Sequence, residues 1–237
     1  MSDPAPPVTP DVSVVIPLFN EESSLGQLTR GLQEVFATQE AIFEVVLVDD
    51  GSTDASRSRA AELAASDPRF RLVSHQRNLG QSAALQTGFA HARGPITITL
   101  DGDLQNVPAD IPRLLEALED CDVVSGVRMD RQDTWSKRVS SKVANTVRNW
   151  ALRDGVHDVG CSLKAYRSEL LRDLPTFEGL HRFLPALLKA RGARIREVPV
   201  AHRQRLHGES HYDIWGRLKR GLRDLWRVWR LTRTNRS

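Results

Sequence analysis

Apolar residues along this chain fall into short solid runs that alternate with stretches of helical spacing. Val12-Ser13-Val14-Val15-Ile16 is nearly continuous and is stopped by Pro17. After Phe19-Asn20-Glu21-Glu22 come Leu25, Leu28, Leu32 and Val35, spaced along one helix face. The couplet then recurs. Phe43 to Val48 predicts a second strand, closed by Asp49-Asp50-Gly51-Ser52-Thr53-Asp54, with Ser52, Thr53 or Asp54 available to cap the next helix. Arg71 to Ser74 predicts a third strand, after which Asn78-Leu79-Gly80 turns into a helix through Ala83, Ala84, Thr87 and Ala90. Ile96 to Leu100, behind the breaker pair Gly94-Pro95, predicts a fourth strand. Pro108 to Leu118 predicts a proline-opened helix and Asp122 to Gly126 a fifth strand. Solid strands separated by helices predict an α/β fold, a mostly parallel sheet flanked by helices, which binds ligands outside the strands' carboxyl ends. Three acidic turns, at Glu21, Asp50 and Asp101, fall on that edge.

Length and composition add boundaries. The 237 residues, 40% hydrophobic, suffice for one large domain with a real core. Residues 1–10 hold four prolines and no apolar run, which predicts a disordered lead-in and no signal peptide; 11–210 form the main domain and 211–237 a basic helix and tail. Two cysteines, Cys121 and Cys161, make no disulfide framework and suit a reducing cytosol. No apolar stretch approaches the ~18 residues needed to span a bilayer.

The net charge of +3 conceals an asymmetry. From Arg203 onward ten Lys/Arg stand against three acids, a local +7, leaving the rest of the chain at −4. On a helical wheel Ile214, Trp215, Leu218, Leu222, Leu225, Trp226 and Trp229 share one face, and Arg220, Arg223, Arg227 and Arg230 the other. Two readings fit: a helix docked on the sheet through its apolar face, or an interfacial helix lying on an anionic membrane from the cytoplasmic side. The coherent Trp/Leu face favours lipid over nucleic acid as the anionic partner.

The chemistry centres on Asp101-Gly102-Asp103-Leu104-Gln105. Two carboxylates and an amide alternate along a segment leaving the fourth strand, so all three can face one ion. Such oxygen ligands suit Mg2+ or Mn2+ with positions left for a diphosphate; the bland alternative is a solvated Asp-Gly turn. No glycine-rich fingerprint follows the first strand and no GxxxxGK[ST] occurs, which argues against dinucleotide oxidoreductases and phosphate-loop enzymes. His202, His207 and His211 are loosely spaced like zinc ligands, but no Cys or HExxH accompanies them. Trp135, Val139, Val143, Val147 and Trp150 form a helical stripe that is core or membrane-facing.

In order, Val14-Val15-Ile16-Pro17-Leu18-Phe19-Asn20-Glu21, Val48-Asp49-Asp50-Gly51-Ser52-Thr53-Asp54, Arg77-Asn78-Leu79-Gly80 and Asp101-Gly102-Asp103-Leu104-Gln105 resemble the motifs of family 2 glycosyltransferases with the Rossmann-like GT-A fold. Ser125-Gly126-Val127-Arg128, Asp158-Val159-Gly160-Cys161-Ser162 and Arg205-Leu206-His207-Gly208-Glu209-Ser210-His211-Tyr212 resemble the branch of dolichyl phosphate mannose synthases and bacterial polyprenyl phosphate glycosyltransferases. The likeness covers about residues 11 to 215, with His211 where the family usually has Lys.

The resemblance implies a nucleotide-sugar donor, GDP-mannose or a UDP-sugar, lying against Pro17, Phe19, Glu21, Asp50, Arg77 and Asp101. It also implies a metal held by Asp101, Asp103 and Gln105, with Asp103, Arg128 and Arg205 catalytic, and an acceptor phosphate bound by Arg128, Arg138, Arg205 and Ser210. A lipid phosphate, already largely dianionic near neutral pH, needs cationic clamps and no base, and arginine's planar fork suits it. A hydroxyl acceptor would need a base, for which Asp158 is the candidate; Asp158 could instead shape the acceptor loop.

Overall fold

The computed structural model describes residues 9–129, 146, 148–149, 151–152, 154–203 and 214–234, with side chains of the last helix described at 221, 223 and 225–233 together with Asp224. Seven strands form one sheet in the order β3-β2-β1-β4-β6-β5-β7. The five anticipated strands are β1 (Val12–Leu18), β2 (Phe43–Asp49), β3 (Phe70–Ser74), β4 (Ile96–Thr99) and β5 (Val123–Arg128). They alternate with α1 (Leu25–Ala37), α2 (Ser56–Ser66), α3 (Gln81–His91) and α4 (Ile111–Leu118), the last entered through a 3-10 turn at Pro108–Asp110.

Two differences at element ends have physical causes. β1 runs through Pro17 to Leu18, because β4 pairs with it only as far as Val15; the proline falls where β1 has a single neighbour, β2. α2 starts at Ser56 with Ala55 before it, so none of Ser52, Thr53 and Asp54 is its cap residue. Their polar groups tie this turn to the one after β1. Ser52 Oγ accepts from Asn20 N (3.0 Å), Asp54 Oδ2 from Glu22 N (3.2 Å), and Thr53 N donates to Asn20 Oδ1 (2.9 Å).

The remaining elements were not legible. β6 (Lys164–Arg167) is four residues with charge at both ends, and it alone runs antiparallel, between β4 and β5. β7 (Ile195–Val200) is an edge strand that alternates buried and accessible residues, and α5 (Leu180–Ala190) contains Pro185. Apolar residues of α1, α2 and α4 pack against one face of the sheet, and those of α3, α5 and the C-terminal α6 (Ile214–Thr234) against the other.

α6 docks on the sheet, as one reading of its sequence expected, though its described residues bury a line rotated from the predicted apolar face. Its buried line is Asp224, Val228 and Thr232, flanked by Leu225 and Trp229, whereas Trp226 is 58% exposed. Asp224 fits beside Gly179, 4.0 Å from the Arg182 guanidinium, which turns the helix away from the face its apolar residues alone suggest. Among the described residues no helix is long and apolar enough to cross a membrane.

Because every strand but β6 runs the same way, β1, β2, β3, β4, β5 and β7 all end on one edge, and β6 begins there. The turns at this edge are in direct contact. Gly51 has φ +73°, and a Cβ on it would lie 2.4 Å from the backbone carbon of Arg77. Gly51→Ala should therefore cost at least about 1–3 kcal/mol from the left-handed backbone alone. The expected result is a lower urea midpoint at unchanged m-value.

Candidate active site

The donor side of the edge is built by carboxylates that organise backbone. Asp50, 3% exposed, takes Leu79 N (2.8 Å) and Gly80 N (2.8 Å) on its two oxygens, with His75 Nδ1 also 2.7 Å from Oδ1. Its carboxylate thus faces the Arg77–Gly80 turn, and it shapes the turn that carries Arg77. Asp49 is likewise internal, accepting from Ser52 N and from Arg57 Nε (2.7 Å). Around them Phe19 and Arg77 are exposed and Pro17 and Glu21 half-buried, so these four line the rim.

The Asp101–Gln105 segment leaves β4 immediately after Leu100, whose N–H donates to Val15 O (3.1 Å). Asp101, Asp103 and Gln105 are half-buried while Gly102, Leu104 and Asn106 are buried, the period-two alternation that the sequence implied. Leu104 reaches the core by taking φ +63°, a strained value for a branched residue. Gly102 is required by close approach, since a Cβ there would sit 2.8 Å from Leu18 Cδ2 and 3.4 Å from Glu21 Cγ. Asp101 Oδ1 accepts from Gln81 Nε2 (2.8 Å), and Asp103 Oδ1 from Gln105 N (3.1 Å).

Burial, and after it the nearby Asp103 carboxylate, pushes the Asp101 pKa up to about 6. Hydrogen bonds from Ser162 and Gln81 and the charge of Lys164 oppose that rise. Two carboxylates packed so closely form a site short of positive charge. An oxygen-only donor set of two acids and an amide fits a hard divalent cation that keeps further positions for phosphate oxygens. Among the described residues no cluster of three or more His, Cys, Asp or Glu offers a closed metal cage.

Arg128 ends β5 on the same edge, partly buried. Its Nε and NH2 donate to Asp158 Oδ2 (2.7 Å) and Oδ1 (2.8 Å), and its backbone N to Oδ2 (3.2 Å). A side chain at Gly160 would meet this guanidinium at 2.8 Å. The turn that carries Asp158 is in turn held by Glu197 of β7, which accepts from His157 N (2.8 Å). Arg138, Arg205, Ser210 and His211 lie outside the described residues, as do His207, Trp135, Val139 and Val143.

Four contributors escaped sequence reading. Gln81 and Ser82 open α3; Gln81 reaches Asp101, and Ser82 Oγ is 2.9 Å from His181 Nδ1. Ser162 Oγ takes Asn106 Nδ2 (2.6 Å) and Asp101 N (3.3 Å), while Lys164 is buried beneath them at the start of β6. The one available signal was position: polar residues opening a helix after an acidic or glycine turn stand at the sheet edge. Ser162 lay within the Asp158–Ser162 motif but without an assigned role, and Lys164 had no signal, because β6 itself was not apparent.

This arrangement is that of a GT-A type fold with an acidic turn, Asp101-Gly102-Asp103, after the fourth strand. Residues 13–175 match the glycosyl transferase family 2 model, and the chain belongs to that family. It is 41% identical over 206 residues to an undecaprenyl-phosphate 4-deoxy-4-formamido-L-arabinose transferase of Edwardsiella ictaluri, covering 86% of this chain and 63% of that protein. A dodecaprenyl-phosphate galacturonate synthase of Rhizobium johnstonii is 39% identical over 210 residues, covering 86% and 62%. The chain thus spans less than two thirds of the length of these relatives. Among solved structures, glucosyl-3-phosphoglycerate synthase from Mycobacterium tuberculosis with UDP superposes with TM-score 0.71 at 23% identity, covering 93% of this chain and 80% of that one. The same enzyme with Mn2+, UDP and glucosyl-3-phosphoglycerate gives 0.68 at 21%, covering 92% and 78%. At such identities the likeness is one of fold.

The raised Asp101 pKa fixes a sign. An acid whose folded pKa lies above its unfolded value stabilises the fold below the unfolded value, near 4, and loses that contribution as pH rises through about 6. Asp101→Asn should remove this loss, raising Tm of the metal-free chain at pH 7.5 by a few degrees, at ~2–4 °C per kcal/mol. The substitution should also abolish the Tm gain that Mn2+ gives the parent chain. Differential scanning fluorimetry across pH, with and without Mn2+, reads both.

Proposed function

We propose that this chain transfers a sugar from a nucleotide-sugar donor, GDP-mannose or a UDP-sugar, to a polyprenyl phosphate at a membrane surface, with inversion at the anomeric carbon. The observation that carries this reading is Arg128, a guanidinium fixed by a bidentate carboxylate on the same sheet edge as the Asp101–Asp103 pair. A cation so placed suits an anionic acceptor. Both oxygens of Asp158 accept from Arg128, so the candidate base for a hydroxyl acceptor is spent on orienting a phosphate ligand instead. The relatives named above are transferases or synthases of polyprenyl phosphate sugars, which supports the same acceptor class.

In this reading Pro17, Phe19, Glu21 and Arg77 line the nucleotide, and Asp50 acts through the turn it holds. Asp101, Asp103 and Gln105 would hold Mg2+ or Mn2+, which supplies Lewis-acid stabilisation of the diphosphate. Arg128, with Arg138, Arg205 and Ser210, holds the acceptor phosphate so that one of its oxygens faces the anomeric carbon opposite the departing group. The oxygen–carbon bond forms as the bond to the nucleoside diphosphate breaks, and the electron pair leaves on the diphosphate. No proton has to move.

GDP- and UDP-sugars offered with a short polyprenyl phosphate should give product with one donor class, and EDTA should abolish it. Turnover that survives EDTA, or that uses only neutral alcohols, would overturn the reading. Asp158→Asn separates the two acceptor chemistries. It should raise the acceptor KM about tenfold with kcat largely kept, whereas loss of a general base would cut kcat by ~10²–10⁴.

The outer face of α6 is the surface we assign to the bilayer. Arg230 lies 5.0 Å from the exposed Trp226 ring and Arg233 4.1 Å from that of Trp229, and Arg223 and Arg227 are exposed beside them. Cations over indoles suit an anionic headgroup layer. Flotation with vesicles containing anionic lipid should capture the chain and weaken as salt is raised. Binding indifferent to both salt and lipid charge would remove the membrane from the proposal.

A further inference from the structure

Lys164 has no part in the reading above, yet among the described residues it is the one buried lysine, at 3% exposure. It opens β6, where it stands opposite Thr99 of β4 and Ser125 of β5. These three make a polar row across a sheet whose next rows are Ile98–Ala165–Val124 and Thr97–Tyr166–Val123. Ser125 Oγ is buried with no hydrogen-bond partner, and Thr99 Oγ1 donates to Ser162 O (2.6 Å). The ammonium is aimed at the turn preceding β6: Lys164 Nζ donates to the carbonyls of Cys161 and of Val159 (3.4 Å).

That turn has two working ends. Asp158 grips the Arg128 guanidinium, and Ser162 holds Asp101 N and Asn106 Nδ2. A buried ammonium is expensive unless it is paired, and a structural strut for two carbonyls could be made from a neutral donor. Burial lowers the Lys164 pKa, and the charges that oppose this fall are those of Cys161, Asp158 and Asp101, the two carboxylates belonging to opposite ends of the turn.

We infer that Lys164 is a positioning residue: its buried amino group, bound to the Cys161 and Val159 carbonyls, fixes the 158–162 turn so that Arg128 faces the acceptor, and its positive charge partly offsets the acidic pair before any divalent cation binds. The acceptor half of this rests on the acceptor proposed above, and the cation half on the metal site proposed there at Asp101, Asp103 and Gln105. Two consequences have opposite signs. Without the charge, Arg128 is held less well and the acceptor is bound more weakly. Without it, the Asp101–Asp103 pair also faces a divalent ion with one fewer repelling cation, so that ion binds more tightly.

The experiment compares the full chain with Lys164→Gln, which keeps two N–H donors and drops the charge, Lys164→Met, which drops both, and Lys164→Arg, which keeps the charge. Mn2+ alone is titrated by calorimetry in the absence of nucleotide. Lys164→Gln and Lys164→Met should each bind Mn2+ at least about threefold more tightly than the parent, and Lys164→Arg should match it. With a short polyprenyl phosphate, the two neutral variants should raise the acceptor KM about tenfold and change the donor KM by less than about twofold, with Lys164→Arg recovering most of the loss.

A purely structural lysine would make Mn2+ binding weaker or leave it unchanged when replaced, and either result overturns the inference. Equal changes in donor and acceptor KM overturn it as well. So does failure of both neutral variants to fold by circular dichroism, because the charge would then be serving the core. Should the parent transfer nothing to a polyprenyl phosphate, the proposed function falls, while the Mn2+ titration still decides the role of Lys164.

Discussion

Acidic side chains that accept backbone N–H bonds from neighbouring turns hold the working edge of this sheet together. Asp50 takes Leu79 and Gly80, Asp54 takes Glu22, Glu22 takes Ala55, Glu197 takes His157, and Asp110 takes Ala201. Loops at the ends of parallel strands carry backbone donors that no ladder satisfies, and a carboxylate bound to an N–H is the stronger kind of hydrogen bond. The arrangement has a consequence for chemistry. Several carboxylates at this edge are committed to shape, and Asp101 and Asp103 are the neighbouring pair in which burial and then the Asp103 charge raise the Asp101 pKa.

The single antiparallel strand turns a nucleotide fold into a two-sided site. Had β5 paired directly with β4, Arg128 would stand next to the acidic segment and neutralise it. β6 places one strand's width between them, and the turn entering β6 fills the gap with Asp158, Ser162 and Lys164. The acidic segment and Arg128 are thereby kept apart in charge and tied together in position, a separation that the function proposed above would use.

The C-terminal helix illustrates a competition between burial and surface chemistry. Its apolar residues are enough to coat one face, yet the helix buries Asp224, Val228 and Thr232 and leaves Trp226 in solvent. Asp224 explains the rotation, because the pocket formed by Gly179 and Arg182 accepts a carboxylate at the start of α5. Stacking of Arg230 on Trp226 then gives the exposed indole a partner on its own helix.

Much of this was determined by the sequence alone. Apolar runs alternating with stretches of helical spacing gave β1 to β5, their helices and the edge on which Glu21, Asp50 and Asp101 gather from local pattern, although β3 lies at the sheet's edge. The alternating exposure of Asp101, Asp103 and Gln105 arises through a turn at Gly102–Asp103 and a left-handed Leu104 rather than along the extended segment their spacing suggested. Tertiary structure decided what pattern does not encode. Lys164-Ala165-Tyr166-Arg167 is a strand only because β4 and β5 flank it, and Asp50 and Asp158 differ from other acids only through the donors that other segments bring to them. Likewise the face that α6 buries depends on a carboxylate-sized space 40 residues away in sequence or more, on the order of several loops' remove, where no local periodicity can register it. Periodicity reports which residues avoid water; which polar groups find each other is fixed only when the chain has closed.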